Sequence, residues 1–147
     1  MDSYLCTIEN IDVVLDDITG KIDAKVEMAV ERGIDKTGTN LKRDTKKSAP
    51  VYDPNAQKNK GFPTHRKPGT FKRHISHKRK GTGALHSYTW YVRKPEYRLT
   101  HLLANGHRLF IFGRDTGRYT KPDPYLHDAY NRAVVELKPN IIRELRR

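Results

Sequence analysis

The sequence is short of cysteine, of long apolar runs and of core-forming residues, and each shortage excludes a class of protein. Its 147 residues include one cysteine, Cys6, so no disulfide can form within one copy, which suits a reducing cytoplasm. No apolar run approaches the roughly 20 residues of a membrane-spanning helix, and no signal-peptide pattern opens the chain. Hydrophobic residues make up 35% and charged residues 31%, against about 45–50% and about 25% in ordinary globular proteins, so we expect a small core. The length predicts a single domain, 1–147.

Patterns for catalysis and metal binding are also missing. Seven histidines are present, but zinc sites need tetrahedral sets of His, Cys or carboxylate ligands, and only one cysteine is available. The sequence contains no nucleophile elbow, phosphate-binding loop or H-E-x-x-H motif. Acids are scattered through the last two-thirds, so a two-metal nuclease would lack its carboxylates. We therefore predict a non-enzymatic protein with no metal and no cofactor.

Charge is distributed unevenly along the chain, whose net charge is +12. Residues 1–34 carry eight acids and three bases, whereas residues 35–95 carry sixteen bases and three acids. Such a basic block attracts phosphate, acidic protein faces or anionic membrane, and composition alone leaves these open. The bases are interleaved with Phe71, Tyr88, Trp90 and Tyr91, which could form a stacking platform for nucleic acid. Tyr88 and Trp90, however, share one face of a predicted strand, where core packing is the more ordinary use.

Apolar spacing predicts two long helices, one at each end. The first covers the segment 10–48: it starts at Asn10, runs to about 32, and continues as a second helical piece to about 47, with Gly33 and Gly38 as the expected break. The second covers 124–146, opened by Pro124 and kinked or restarted at Pro139.

Between the helices we expect a loop, three strands and a short helix. Prolines and glycines predict an extended basic loop over 50–70. The sheet region 71–112 contains predicted strands at 71–77, 87–92 and 107–112, a basic hairpin turn at 78–83, and a short helix at 97–106. A polar loop is expected at 113–123. The predicted fold class is α+β: a small antiparallel sheet packed by the long N-terminal helix and the C-terminal helix, with a long basic loop.

The order of several short motifs resembles the small head–tail connector proteins of long-tailed bacteriophages, the tail completion or head–tail joining group. The motifs are the turn Ala49-Pro50-Val51, the stretch 68–75 with its Gly-Thr-Phe-Lys-Arg start, the helix 97–107, and the proline-rich turn 121–126. The likeness covers about 10 to 145. The loop between Val51 and Gly69 is longer than the short link usual in that family.

The resemblance implies a structural virion protein: a subunit of a neck ring that joins the DNA-filled head to the tail and surrounds the DNA channel. It implies a homo-oligomeric ring, a hexamer with a dodecamer as the alternative. The implied partners are a neighbouring connector or adaptor protein, a tail-tube or tail terminator protein, and double-stranded DNA contacted without sequence preference. Two alternatives stay open: a tail terminator capping the tail tube, and a non-specific nucleic-acid-binding module.

Two sets of side chains are the candidate functional residues. A basic cluster is expected to face the DNA channel or an acidic neighbour, and a loop mobile in the isolated subunit is expected to be ordered by docking. The basic cluster is Lys72, Arg73, His74, Lys78, Arg79 and Lys80; the docking loop carries Tyr52, Lys58, Lys60, Phe62, Arg66 and Lys67.

Overall fold

The computed structural model of the protein describes residues 11–53, 55 and 67–147, and the side chains of 11–14 and 111 are not described. The predicted start at Asn10 lies outside these residues. Long terminal helices and short antiparallel strands confirm the α+β class. The elements are helices α1 (Ile11–Ser48), α2 (Thr70–His74), α3 (Tyr97–Asn105) and α4 (Tyr125–Leu145), strands β1 (Ile75–Lys80), β2 (Ser87–Val92), β3 (Arg108–Ile111) and β4 (Arg114–Tyr119), and a 3₁₀ turn at Gly83–Leu85.

The α1 helix is continuous, so the predicted break near Gly33 and Gly38 is wrong. Both glycines are present because another element approaches the helix backbone closely. A Cβ at Gly33 would lie 2.5 Å from Cγ1 of Ile141 on α4, and a Cβ at Gly38 would overlap the ring of Tyr88 on β2. The glycines therefore serve packing, and the packing outweighs their cost of about 1 kcal/mol each in helix propensity.

The strands form two separate ribbons rather than one sheet. β1 pairs with β2 from Ile75 opposite Val92 to Lys80 opposite Ser87, and β3 pairs with β4. The polar loop expected at 113–123 is wrong for its first half, because that segment folds back as β4. Phe112 and Gly113 have φ of 50° and 76°, and they close the two-residue turn between β3 and β4.

The segment predicted as a strand over 71–77 begins as one turn of helix. Gly69 takes a left-handed conformation (φ 73°), and the hydroxyl of Thr70 donates a hydrogen bond to the carbonyl of Lys67 (2.7 Å). The turn of helix buries Phe71, and the strand begins four residues later with the buried Ile75. The first half of the strand prediction is therefore wrong, whereas the strand 87–92 and the helix near 97–106 are confirmed.

The core is small and lies where the C-terminal end of α1, α2, the β1–β2 ribbon and the start of α4 meet. The rings of Phe71 and Tyr125 contact edge to face at 5.9 Å. Around this pair are the buried Ala49, Ile75 and Val92, with Trp90, Leu99, Leu103 and Leu126 partly buried against them.

Helices α1 and α4 pack antiparallel, with Gly33 against Ile141 near one end and Ser48 against Tyr125 at the other. Their interface contains small and polar side chains: Asn140 Nδ2 donates to Oγ1 of Thr37 (3.0 Å) within it. α4 runs through Pro139 without interruption in its assigned range, so no restart occurs there.

Candidate interaction site

The predicted basic cluster is divided between two places. Lys72, Arg73 and His74 lie on α2, where each bonds to a nearby backbone or side-chain oxygen. Lys72 Nζ donates to the carbonyl of Lys47 (3.3 Å), Arg73 donates to Oγ1 of Thr70 (2.9 Å), and the ring of His74 bonds to the carbonyl of Thr70 (2.8 Å). The Lys72 contact joins α2 to the end of α1, and the other two lie within α2. The three side chains are therefore engaged at α2 rather than presented with the basic residues of β1.

The other three basic residues belong to β1, although a turn was predicted for them at 78–83. The connection between β1 and β2 instead covers residues 81–86. Successive strand residues point to opposite faces, so Arg79 is separated from Lys78 and Lys80. Arg79 Nε forms an ion pair with Oδ1 of Asp35 on α1 (3.0 Å), and its guanidinium lies 6.0 Å from the ring centre of Tyr88. Its charge is thus partly neutralised within the fold.

The outer face of the β1–β2 ribbon carries the exposed remainder of the cluster. The register places Lys78 opposite Thr89 and Lys80 opposite Ser87, and Tyr91 lies on the same face opposite Ser76. Lys78, Lys80 and Tyr91 are exposed. Two ammonium groups, two hydroxyls and one aromatic ring on a pleated surface can contact phosphate and stack on a base without reading sequence.

The inner face of the ribbon packs on α1, so Tyr88 and Trp90 are not a nucleic-acid platform. His77 stacks on Tyr88, with ring centres 4.7 Å apart, and Lys42 Nζ donates to its Nδ1 (3.0 Å). Burial, followed by the positive charges of Lys42 and Arg79, lowers the pKa of His77. A neutral His77 is therefore part of the packing between α1 and the ribbon.

His86 attaches the connection between β1 and β2 to α1, and no pattern in the sequence singles it out. Its Nε2 lies 2.8 Å from Oδ1 of Asp35 and its Nδ1 lies 3.1 Å from the carbonyl oxygen of Gly81. Both partners accept hydrogen bonds, so the doubly protonated ring fits the site. The bond to Gly81, then the bond to Asp35, raises the pKa of His86. Glu31 accepts a bond from the backbone of Gly83 (3.0 Å) beside it.

Only two of the predicted docking-loop residues are described. Tyr52 is half-buried, and Lys67 is exposed, its carbonyl accepting bonds from the backbone N–H and the hydroxyl of Thr70 (3.2 and 2.7 Å). The other four, Lys58, Lys60, Phe62 and Arg66, lie outside the described residues.

Sequence reasoning missed two exposed apolar surfaces. The first is the projecting part of α1, residues 15–28, termed the α1 arm; all of its residues are exposed, although their apolar spacing predicted burial. The second is the β3–β4 ribbon, with exposed Phe110, Phe112 and Tyr119. The sequence did contain a sign that this segment would be exposed. Asp16, Asp23 and Glu27 lie beside the apolar stripe, and the chain has too few apolar residues for a core large enough to cover it.

The described residues contain neither a metal-binding cluster nor a membrane-spanning helix. Within residues 11–53, 55 and 67–147, no group of three or more His, Cys, Asp or Glu residues is arranged to hold a metal ion. No helix in the described part of the chain has the length and apolar character needed to cross a membrane. Comparison with protein families, curated proteins and solved structures finds no match for this chain.

Proposed function

We propose that this protein is a structural subunit of the neck of a long-tailed bacteriophage, where a ring of copies joins the DNA-filled head to the tail. The observation that carries the proposal is the uncovered apolar stripe of the α1 arm: Leu15, Ile18, Ile22 and Val26 remain 42–57% exposed on one helix face. A chain that leaves such a stripe uncovered beside a small core is suited to completing its burial against neighbouring subunits.

Further support comes from the motifs of the connector resemblance, which occupy positions that shape this fold. Ala49 is buried in the core directly after α1, and Phe71 of the Gly-Thr-Phe-Lys-Arg start contacts Tyr125 at the start of α4. The helix Tyr97–Asn105 also packs Leu99 and Leu103 against the core. The proposal therefore draws on residues that organise the fold as well as on their order in the sequence.

Reconstitution tests the proposal directly. Purified protein is added to DNA-filled heads and completed tails that both lack it, and joined particles are counted by electron microscopy. We expect joining to depend on the added protein and a reconstruction to show it as a ring at the neck, with six copies. Joining that proceeds equally without the protein, or particles whose neck contains none of it, would contradict the proposed function.

A second candidate, sequence-independent binding of double-stranded DNA, is favoured by the outer face of the β1–β2 ribbon. Replacing Lys78 and Lys80 with serine removes two exposed cations and leaves the Arg79–Asp35 ion pair intact. We expect weaker DNA binding with a smaller salt dependence, because each phosphate contact releases about one counterion. The matched control replaces the exposed Lys121 and Lys138 with serine, which makes the same change in net charge.

The outcome also separates the two candidates. DNA binding by isolated monomers that coat the duplex, with no activity in joining heads to tails, would favour the stand-alone binding module. If both double variants bind DNA alike, the outer face of the ribbon is not a specific contact surface.

A further inference from the structure

We propose that copies of this chain associate head to tail, with the β3–β4 ribbon of one copy docked on the α1 arm of the next. This inference rests on the proposed ring and names the two surfaces that would build it. Each surface is apolar and exposed, the two differ in shape and charge, and they belong to different elements of the fold.

The α1 arm offers a narrow aliphatic stripe with an acidic border. Leu15, Ile18, Ile22 and Val26 follow one another at steps of three and four, so they line one face of the helix. Further along the same face lie the buried Ala29 and Gly33, where the arm joins the body of the fold. At 3.6 residues per turn, Asp16 and Asp23 project along one side of this stripe, and Lys21 and Lys25 project along the other. Glu27 follows on the acidic side, where its side chain lies against Gly83 of the 3₁₀ turn. The arm is about 21 Å long, at 1.5 Å per residue over residues 15–28.

The β3–β4 ribbon offers exposed aromatic rings and carries three arginines. Phe110 is 58%, Phe112 88% and Tyr119 71% exposed. Arg108 shares the face of Phe110 and Tyr119: it pairs with Asp115 (2.7 Å) and its guanidinium lies 5.9 Å from the ring centre of Tyr119. Arg114 and Arg118 are exposed, and strand alternation places them on the opposite face of the ribbon. Aromatic residues and arginine are the residue types most enriched at the energetic centres of protein interfaces.

Charge complementarity selects the ribbon as the occupant of the arm. Residues 15–28 carry four acids and two bases, and residues 108–119 carry three bases and one acid. The other exposed apolar stripe, on α4 with Tyr130, Val134 and Leu137, lies on a helix with three acids and three bases, so it offers no such attraction. Docking of two different patches is heterologous, and copies joined in this way form a closed ring or a filament.

The turn of the ribbon adds a separate indication that its tip is used for contact. Phe112 stands at a turn position with φ 50°, where asparagine or glycine is the favoured residue and a phenylalanine is strained. Asparagine at this position would give the preferred Asn-Gly hairpin turn. The tip of the ribbon therefore presents a large ring, 88% exposed, where a small residue would suit the turn better.

Disulfide trapping tests the pairing in the full chain, with Cys6 replaced by serine throughout. One preparation carries Ile22→Cys, a second carries Phe112→Cys and a third carries Val134→Cys. Under mild oxidation we expect covalent dimers when the first is mixed with the second, and few when any preparation is oxidised alone. A chain carrying both Ile22→Cys and Phe112→Cys should give a ladder of products that ends at the closed ring.

Two trapping results would overturn the pairing. Efficient dimers of Ile22→Cys alone would mean that two arms pack on each other, and dimers of Ile22→Cys with Val134→Cys would place α4 on the arm. Absence of any mixed dimer at concentrations where sedimentation shows self-association would equally rule out the ribbon as the occupant.

Affinity measurements give a second, independent test. Phe112→Asn should weaken self-association by about thirtyfold, the effect of losing a buried aromatic anchor, while the unfolding midpoint stays equal or rises. The control Val135→Asn changes a comparably exposed apolar residue, 75% exposed, on α4 and on neither surface, and should leave association unchanged. Asp23→Lys and Arg114→Glu should each weaken association several-fold, and mixing the two variants should restore part of the loss. Unchanged association in Phe112→Asn would contradict the proposal.

The proposed interface and the proposed neck function can fail independently of each other. If rings form at the neck but Ile22 and Phe112 do not cross-link, the function stands and the interface is elsewhere. If the pair cross-links in purified protein but head–tail joining does not require it, the interface stands and the neck function fails.

Discussion

Gly33→Ala tests the close approach of α1 and α4 most directly. The new Cβ would lie 2.5 Å from Cγ1, 2.9 Å from Cα and 3.0 Å from the backbone nitrogen of Ile141. Carbon atoms in good contact are about 3.5–4.0 Å apart, so the two helices must separate by roughly half an ångström or more. Because two of the three contacts are to backbone, a change of side-chain rotamer at Ile141 cannot relieve them.

The magnitude follows from two opposing terms. Overpacking of this kind costs about 1–3 kcal/mol, and the backbone contacts place Gly33→Ala near the upper end. Alanine recovers about 1 kcal/mol in helix propensity. We therefore expect a net destabilisation of about 2 kcal/mol, which corresponds to a fall of about 6 °C in the unfolding midpoint of a chain of this size.

Urea and thermal unfolding followed by circular dichroism measure this change, with the wild type run in parallel. Combining Gly33→Ala with Ile141→Ala separates side-chain from backbone overlap in a double-mutant cycle. We expect the second substitution to relieve only the Cγ1 contact and thus less than half of the cost. A Gly33→Ala protein as stable as the wild type would refute the reasoning, because the helices would then not approach as closely as the structure shows.

Three further predictions concern single residues. Gly20→Ala should raise the helical content of the α1 arm, since nothing lies within 4 Å of the added methyl group, and far-ultraviolet circular dichroism measures the change. His86→Gln should reduce the stability gained on acidification. The pKa of His86 is raised above 6.5 in the fold, so protonated His86 contributes fully to the free energy of unfolding below about pH 6.5, and this contribution is lost as the pH rises through the folded pKa. Melting curves from pH 5.5 to 8.5 measure this, and an unchanged pH profile in the variant would count against the His86–Asp35 contact. Tyr125→Phe should leave stability unchanged or raise it by about 1 kcal/mol, because the buried hydroxyl of Tyr125 has no hydrogen-bond partner among the described residues; a loss above about 1 kcal/mol would contradict this. Burial also raises the pKa of Tyr125 from 10 to about 12, so the wild type, unlike Tyr125→Phe, should lose stability as the pH rises above 10, because the unfolded chain ionises more readily.

The sequence was sufficient for elements whose signals are local. Apolar steps of threes and fours identified both long helices, the run of aromatic and β-branched residues identified the strand 87–92, and Gly106 marked the end of the helix that begins at Tyr97. The shortage of apolar residues also predicted a small core, and the structure buries eight hydrophobic residues among those it describes. Each of these conclusions depends on residues that are neighbours in the chain, so no knowledge of tertiary contacts was needed.

Tertiary contacts decided the rest. Local propensity treats Gly33 and Gly38 as weak points of a helix, yet contact with Ile141 and Tyr88 makes them the places where other elements can approach α1. The sequence pattern also does not specify which strands pair. β3 could have paired with β2, but the left-handed turn at Phe112 brings the chain back as β4, which pairs with β3.

The same limit applies to the candidate site. Six basic residues close in sequence predicted one surface, but alternation along β1 turned Arg79 towards Asp35 and left Lys78 and Lys80 outside. The apolar periodicity of the α1 arm predicted burial, and periodicity identifies a face without identifying what covers it. The lengths and directions of the packed helices decide which apolar stripe is covered within the chain and which stays exposed. Here α4 ends before it reaches the α1 arm, so the stripe of the arm stays exposed.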